Sequence, residues 1–427
     1  MRLKASRIAV LDVNHGALAL AGELRTLGYD AFAVDVYGTR AFPDTGVEVV
    51  GMDRIGRPDA IAAPVHLPPH PAVERAREAG VPVLTHHRLA GMIVEETGRL
   101  DGMRAVEVTG TYGKTTACFI LGRILAAAGE RVLLHTSSGL CLDGEPTGRR
   151  LSVTPASVIA ALDAARAADP KPTIVVLETS LGGCGVADVN VITTLDRDYP
   201  VAGGTLRSYT AKMQMIDYAK PGSVIVHGSA YCIPRHIAEV TFGPGGDVSC
   251  GDDGLIDCRS PPARIDPAFG PGLDIDVYRA PALCAVAAAL AAGVRPGDIS
   301  AGLSGFEGVP GRMSVRVVEG RMVLDNSNSG LTPDGVARAL ERSRAHPGKR
   351  VLVVGEEKYS VCEGLDPAKA LEIARQPGVD GVVLVGERLR GAGPGLAYAP
   401  GLEDGMTAAV GMTAPGDMII LCVKTWR

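Results

Sequence analysis

The sequence predicts an α/β protein of three domains built on largely parallel sheets. Short apolar runs alternate with stretches of helical spacing along the whole chain, which is the pattern of strands joined by crossover helices. At 427 residues the chain exceeds what one ordinary core can organise. Glycine and charge break the apolar rhythm twice, at "TGRLDGMRA" (97–105) and at "FEGVPGRM" (306–313), which divides the chain in three.

In the first segment, "RIAVLDV" (7–13) reads as a buried strand, and the helically spaced "GALALAGELRTLGY" ends at Gly28. "DAFAVDV" is the next strand, and "AVERAREAG" (72–80) followed by "VPVLT" repeats the unit. A dinucleotide-binding fold carries G-x-G-x-x-G after its first strand. Asp12-Val13-Asn14-His15-Gly16 stands there, so NAD and FAD binding are rejected. His86-His87 have no partners at metal-ligand spacing and read as core or surface histidines.

The second segment opens with "AVEV", a glycine-rich turn and the helix "KTTACFILGRILAAAG". Ala117, Leu121, Ile124, Leu125 and Ala128 share one helical face, and Gly129 supplies the stop. "RVLLH" follows, then a helix opened by Thr154 at the N-cap and Pro155 at its first position, then the apolar strand "TIVVLE". In the third segment "VRVVEGRMVLD" predicts a hairpin turning at Glu319-Gly320. "VLVVG" (351–355), "VVLVG" (382–386) and "MIILCV" (418–423) are further strands separated by helical stretches.

Composition excludes several classes. Hydrophobic residues make up 46% and charged residues 21%, and a net charge of -5 supplies no basic field for nucleic acid or an anionic membrane. Nine cysteines without a C-x-x-C pair read as reduced thiols, not a disulfide frame or a zinc site. The apolar run "APALCAVAAALAAGV" (280–294) is shorter than the ~20 residues a membrane helix needs. No signal peptide precedes the first strand, so a cytoplasmic location is expected.

The chemistry concentrates in "VTGTYGKTTACF" (108–119). A Walker A loop reads G-x-x-x-x-G-K-[ST], and Val108 occupies the first glycine's place. The context is nevertheless strand, turn, helix, which directs backbone N–H groups and a positive helix end at a phosphate. Gly110, Thr111, Tyr112 and Gly113 form the expected cradle and Thr116 continues it. Lys114 is placed to neutralise phosphate charge, and the Thr115 hydroxyl to ligate magnesium. Glu178 ends an apolar strand, where an acid suits a magnesium ligand better than a solvated face.

G-T-x-G-K-T-T followed by an E-x-S strand end resembles the Mur ligase superfamily: muramyl-peptide ligases, folylpolyglutamate synthase and cyanophycin synthetase. That family also has no first Walker glycine. The resemblance implies three domains: a Rossmann-like N-terminal substrate-binding domain (1–101), a central P-loop ATPase domain with a parallel sheet (102–308) and a Rossmann-like C-terminal domain (309–427). It further implies ATP and Mg2+, an acyl-phosphate intermediate and domain closure about 306–312. "YTAKMQM" (209–215) is similar to the Y-x-x-K segment, so Lys212 is expected to be carbamylated and to act as a metal ligand. "FEGVPGRM" resembles F-x-G-V-P-G-R, which casts Arg312 as the arginine that reaches the phosphates, and "MVLDNS" casts Asp325 as the ribose contact. "GDMIILCVK" resembles the last strand, with Lys424 near its end. Lys114, Glu178, Lys212 and Arg312 are thus the expected catalytic set. Lys212 as a surface lysine, Arg312 as an ion-pair partner and Asp325 as a turn cap are the local alternatives.

Four motifs depart from the family pattern. Asp198-Tyr199 replaces an Asp-His pair, and Thr193-Thr194-Leu195 replaces a T-N-I strand end. Val277-Tyr278-Arg279-Ala280-Pro281 stands at the adenine motif, and Asp325-Asn326-Ser327-Asn328-Ser329-Gly330 at the D-Y-A-H-N-P motif. With "TLDRDYPVAGGTLRSYTAKMQMIDYAKPGS", "LDNSNSG" and "CVKTWR", they make the chain resemble a divergent methanogen branch, the coenzyme F-430 synthetases. That resemblance implies a small-molecule substrate, a nickel tetrapyrrole whose propionate is activated and closed onto carbon, and a monomer or homodimer without nucleic acid or membrane. Tyr112, Tyr199 and the loop "HTSSGLCLDGEP" (135–146) are candidate contacts for a large planar substrate. An amide ligase and a nucleotide-binding regulatory protein are the other readings.

Overall fold

The computed structural model describes residues 6–425 apart from 39–41, 43, 197, 234–236, 272, 358–364, 377 and 394. Arg197 of the "TLDRDYP" segment and Trp426 and Arg427 of "CVKTWR" lie outside the described residues. The chain forms two compact units, residues 1–267 with 279–303, and residues 268–278 with 304–427.

The first unit carries two sheets. The five-stranded one has the order Val49–Gly51, Asp30–Asp35, Arg7–Leu11, Ala60–Ala63, Val83–Thr85, all parallel. Its middle strands are buried on both faces, as their unbroken apolar runs predict. The helix Ala17–Thr26 ends before Gly28 as expected. The strand order reverses direction between Arg7–Leu11 and Ala60–Ala63, which opens a crevice at their carboxyl ends.

The eleven-stranded sheet has a parallel centre in the order Val224–Gly228, Val189–Ile192, Arg104–Thr109, Ile174–Glu178, Val132–Thr136. The central strand Arg104–Thr109 feeds the helix Lys114–Ala127, whose Leu121, Ile124 and Leu125 are buried. One edge is extended by Ala238–Phe242 and the antiparallel strands of 248–265. On the other edge Gly139–Leu142 and Glu145–Pro146 fold back as antiparallel strands, so 135–146 is sheet edge and not a free loop. The helix Pro155–Ala167 starts where Thr154-Pro155 predicts, but the Thr154 hydroxyl bonds Ser152 and Ser157 hydroxyls and leaves the helix N–H groups uncapped.

In the second unit six strands run Ser314–Val318, Arg321–Asp325, Met418–Lys424, Arg350–Glu356, Gly381–Val385, Ala397–Ala399. All pairs are parallel except the first, the expected hairpin, in which Val318 pairs with Arg321 and Glu319 and Gly320 both hold positive φ. Leu352, Val354 and Ile420 face one core of this sheet, and Val351, Val353 and Ile419 the other. No helix among the described residues is long and apolar enough to cross a membrane.

Candidate active site

The phosphate loop 110–113 leaves the carboxyl end of Arg104–Thr109, and Gly113 caps the following helix with φ 80°. The loop is shaped from below by the end of the neighbouring strand. Thr111 N donates to Thr194 O at 2.8 Å, Tyr112 N to Thr194 Oγ1 at 3.0 Å, and Thr193 Oγ1 to Tyr112 O at 2.6 Å. A side chain at position 110 would put its Cβ 2.1 Å from Thr193 Oγ1, at a φ of 142° that only glycine adopts freely. The Thr193-Thr194 pair that departs from the family pattern is therefore the mould of the loop. Its distance in sequence from the loop hid that role.

Lys114 curls back over the loop, with Nζ 3.0 Å from Gly110 O. Thr115 is buried beneath, and its hydroxyl donates to Glu178 at 2.9 and 3.1 Å. Glu178 is only 2% exposed and also accepts from Ser137 N at 3.0 Å. Ser137 Oγ lies 3.0 Å from Thr115 Oγ1, so a residue the motifs did not single out completes this oxygen cluster. Its signal was the strand Val132–Thr136, parallel to and beside that of Glu178. Thr116 is buried behind Lys114, while Tyr112 is 41% exposed at the loop's tip.

Lys212 lies on the helix Ser208–Asp217 and is 1% exposed, not the surface lysine of the local alternative. Its Nζ has no hydrogen-bond partner among the described residues and stands 4.8 Å from the centre of the Tyr199 ring. Burial lowers its pKa to about 8, the Lys114 charge adds to the fall and Asp198 opposes it. Asp198 itself is held down at about 2, first by Arg207, and its Oδ1 accepts from Tyr209 N at the start of that helix. The Tyr that replaces the family's histidine thus offers a π face to the lysine where the imidazole would offer a ligand nitrogen.

Arg312 and Asp325 belong to the second unit. Arg312 follows the turn 306–311, whose backbone is clamped by Tyr278: its hydroxyl donates to Arg312 O at 2.6 Å and accepts from Val309 N at 3.0 Å. Gly308 fits only because it has no side chain, since a Cβ would meet Tyr278 Oη at 2.8 Å. Tyr278, at the altered adenine motif, is therefore a structural clamp on the Arg312 turn. Asp325 is buried at the end of its strand and accepts from Ser327 N at 3.0 Å, the local turn-capping use. Lys424 is buried, with Nζ 3.3 Å from Leu331 O.

The structure thus gathers Gly110, Thr111, Gly113, Lys114, Thr115 and Glu178 at one strand end, with Lys212 close enough to feel the Lys114 charge. Carboxyl ends of parallel strands, a helix N-terminus, an ammonium group and buried oxygen donors suit phosphoryl transfer.

The family description "Coenzyme F430 synthetase CfbE, C-terminal domain" matches residues 315–425. The coenzyme F(430) synthetase of Methanosarcina acetivorans is 32% identical over 476 aligned positions, covering 100% of both chains. The UDP-N-acetylmuramoylalanine–D-glutamate ligase of Dinoroseobacter shibae is 25% identical across 97% of this chain and 92% of its own. Among solved structures, a folylpolyglutamate synthase/dihydrofolate synthase of Yersinia pestis complexed with AMPPNP and a Mn ion superposes with TM-score 0.60 at 19% identity, covering 78% of this chain and 89% of that one. MurF of Acinetobacter baumannii gives 0.57 at 17% identity, over 81% and 79%; both likenesses show the fold. The chain belongs to the coenzyme F430 synthetase family of the Mur ligase superfamily and is an ATP-dependent ligase.

Proposed function

We propose that this ligase activates the propionate of a seco-nickel-tetrapyrrole acid as an acyl phosphate and closes the carbocyclic ring onto carbon, releasing ADP and phosphate in the biosynthesis of a methanogenesis cofactor. The observation that carries it is the likeness over the full length of both chains to a protein named coenzyme F(430) synthetase. The preserved phosphate loop supports the activation step, and the altered motifs at Tyr199 and Tyr278 set the chain apart from the peptidoglycan and folate ligases. The proposed domains are 1–101, 102–308 and 309–427.

The Thr115 hydroxyl and Glu178 carboxylate are hard oxygen donors in contact, and they fit Mg2+. When bound, the ion would offset triphosphate charge. The loop N–H groups would hold the phosphates, and Lys114 would stabilise charge on the oxygens of the transferring group. With its pKa near 8, Lys212 keeps a free-amine fraction near neutral pH. That amine can add CO2, losing one proton, to give a carbamate that supplies a further oxygen donor. Arg312 and Asp325 take the phosphate and ribose roles in this reading.

The test is ADP release from ATP with the seco-nickel-tetrapyrrole acid in the absence of any amine. Formation of ADP together with the ring-closed product supports the proposal. Dependence on an added amine supports an amide ligase, the reading favoured by the muramyl ligase relatives. No ADP with any carboxylate overturns both.

A further inference from the structure

The most unusual side-chain cluster outside the phosphate site lies at the crevice of the N-terminal sheet. Asp12 ends the strand Arg7–Leu11 with its side chain fully buried, and its backbone holds φ 77°. His15 sits in the short turn Val13–His15 that follows, and His66 comes from the segment after the neighbouring strand Ala60–Ala63. These two strands flank the point where the strand order reverses, the place where open α/β sheets bind ligands. His15 Nδ1 is 2.6 Å and His66 Nε2 4.0 Å from Asp12 Oδ2, and the two imidazoles meet edge to face with centroids 4.5 Å apart.

One ligand atom from each of the three residues lies within 4.8 Å of the others. Neighbouring ligands on a single ion with bonds of about 2.0–2.2 Å are about 3–4 Å apart, so a small adjustment closes the set on one centre. A structural Asp–His pair would need only one imidazole. Here a second is drawn to the same carboxylate, and its Nε2 is buried without a hydrogen-bond partner among the described residues. Beside them His86, opening the helix after the edge strand Val83–Thr85, is 1% exposed. Neither of its ring nitrogens meets a partner with hydrogen-bond geometry, although the His15 backbone lies near enough to act on it. Buried polar atoms are normally satisfied by protein, water or a bound ion, and a bound ion would satisfy these together with the Asp12 carboxylate. Two imidazoles and a carboxylate are the donor set of borderline divalent transition metals, and not of calcium or magnesium.

We infer that Asp12, His15 and His66 form a binding site for a divalent transition-metal centre. The centre can reach the site as a free ion held by all three residues or, on the reading of the substrate given above, as the nickel of the tetrapyrrole, which one of the two imidazoles would hold because the macrocycle already supplies four nitrogens. His87, next to His86, bonds Ser180 O at 2.8 Å, two residues beyond Glu178, so the helix that carries His86 also touches the segment after the Glu178 strand. A macrocycle held by its metal in the crevice would therefore lie in the unit that carries Lys114 and Lys212.

The experiment uses the full chain, stripped of metal, with three probes: Ni2+, Zn2+ and the seco-nickel-tetrapyrrole acid. Free-ion binding is read by equilibrium dialysis and by X-ray absorption of the nickel-loaded wild type, where imidazole scattering is expected. Binding of the tetrapyrrole is read from the change in its absorption spectrum as nickel gains an axial ligand. His15→Gln and His66→Gln should each weaken free-ion binding at least about tenfold, and the double variant should abolish the response of whichever probe binds. Stoichiometric ion uptake with imidazole scattering identifies an ion site. A spectral response of the tetrapyrrole alone, lost in the double variant, identifies the substrate's nickel as the occupant. No response from any probe, or responses unchanged in the double variant, overturns the inference. ADP formation is scored separately. Ion binding without ADP from the tetrapyrrole leaves the metal site standing and removes the substrate reading; ADP formation without metal response does the reverse.

Discussion

Two crevices at the carboxyl ends of parallel strands teach different lessons. The proposed phosphate loop of the central sheet takes its chemistry from adjacent residues, 110–116, because backbone N–H groups would do most of the binding and backbone must be contiguous. The histidine crevice of the N-terminal sheet takes its chemistry from side chains at 12, 15 and 66, which only the strand order brings together. Similar sheets at similar ends thus present one site written in a line and one written across the fold.

The sharpest way to break the phosphate side of that comparison is Lys114→Ala. Loss of the ammonium that curls back over the loop should, on the proposed role of Lys114, lower ADP formation by about 10^3-fold or more, with the circular dichroism spectrum unchanged. Turnover within a few-fold of wild type would remove the loop from the active site.

What was legible follows the same division. Strand runs such as Val351–Val354, the hairpin at Glu319-Gly320 and the loop Gly110–Gly113 were readable because local periodicity and turn chemistry dictate them. The extra edge strands Gly139–Leu142 and Glu145–Pro146 were not, because short antiparallel additions carry no period of their own. Lys212 was recognisable from its segment, but its burial and its lowered pKa arise from packing. Thr193, Ser137 and Tyr278 gain their roles from partners far away in sequence, at Tyr112, Glu178 and Arg312. His15 and His66 carry no metal-ligand spacing along the chain, because only the fold brings them together.

Gly110→Ala tests whether the mould beneath the loop matters as much as the loop itself. The added Cβ collides with Thr193 Oγ1 and stands 2.9 Å from Thr194 N, so the loop must move. The KM for ATP should rise about tenfold, consistent with a strain of about 1–3 kcal/mol. Adding Thr193→Ala should restore only part of the loss, because the backbone contact remains. An unchanged KM in Gly110→Ala would show that the loop does not need its observed shape.

A smaller effect is expected in the second unit, where an altered motif has become a clamp. Tyr278→Phe leaves Val309 N, in a buried turn, without its acceptor, which costs about 1–3 kcal/mol. Urea unfolding should show the lower midpoint with an unchanged slope. Equal midpoints would mean that water or a backbone shift satisfies the turn, and that Tyr278 is filling space only.

The smallest effect separates the two roles of Tyr199 beneath Lys212. In the native state the Lys212 amine titrates at about 8, against 10.5 ordinarily. Between those values the unfolded chain holds a proton that the native chain lacks, so the lysine's contribution to stability rises with pH across that window. Below pH 8 both states are charged, and the full cost of burying the ammonium opposes folding. Tyr199 faces that ammonium at 4.8 Å and favours its charged form, by about 0.5–2 kcal/mol for such contacts. Tyr199→Leu should therefore lower the native pKa further and start the rise in stability below pH 8, while Tyr199→Phe, which keeps the ring, should leave the window in place. Unfolding free energies measured from pH 7 to 10.5, each taken relative to Lys212→Met, isolate this term. If the Leu and Phe variants shift the window alike, the phenol oxygen and not the ring face sets the charge of Lys212, and the replacement of a histidine by tyrosine at this position is a matter of hydrogen bonding.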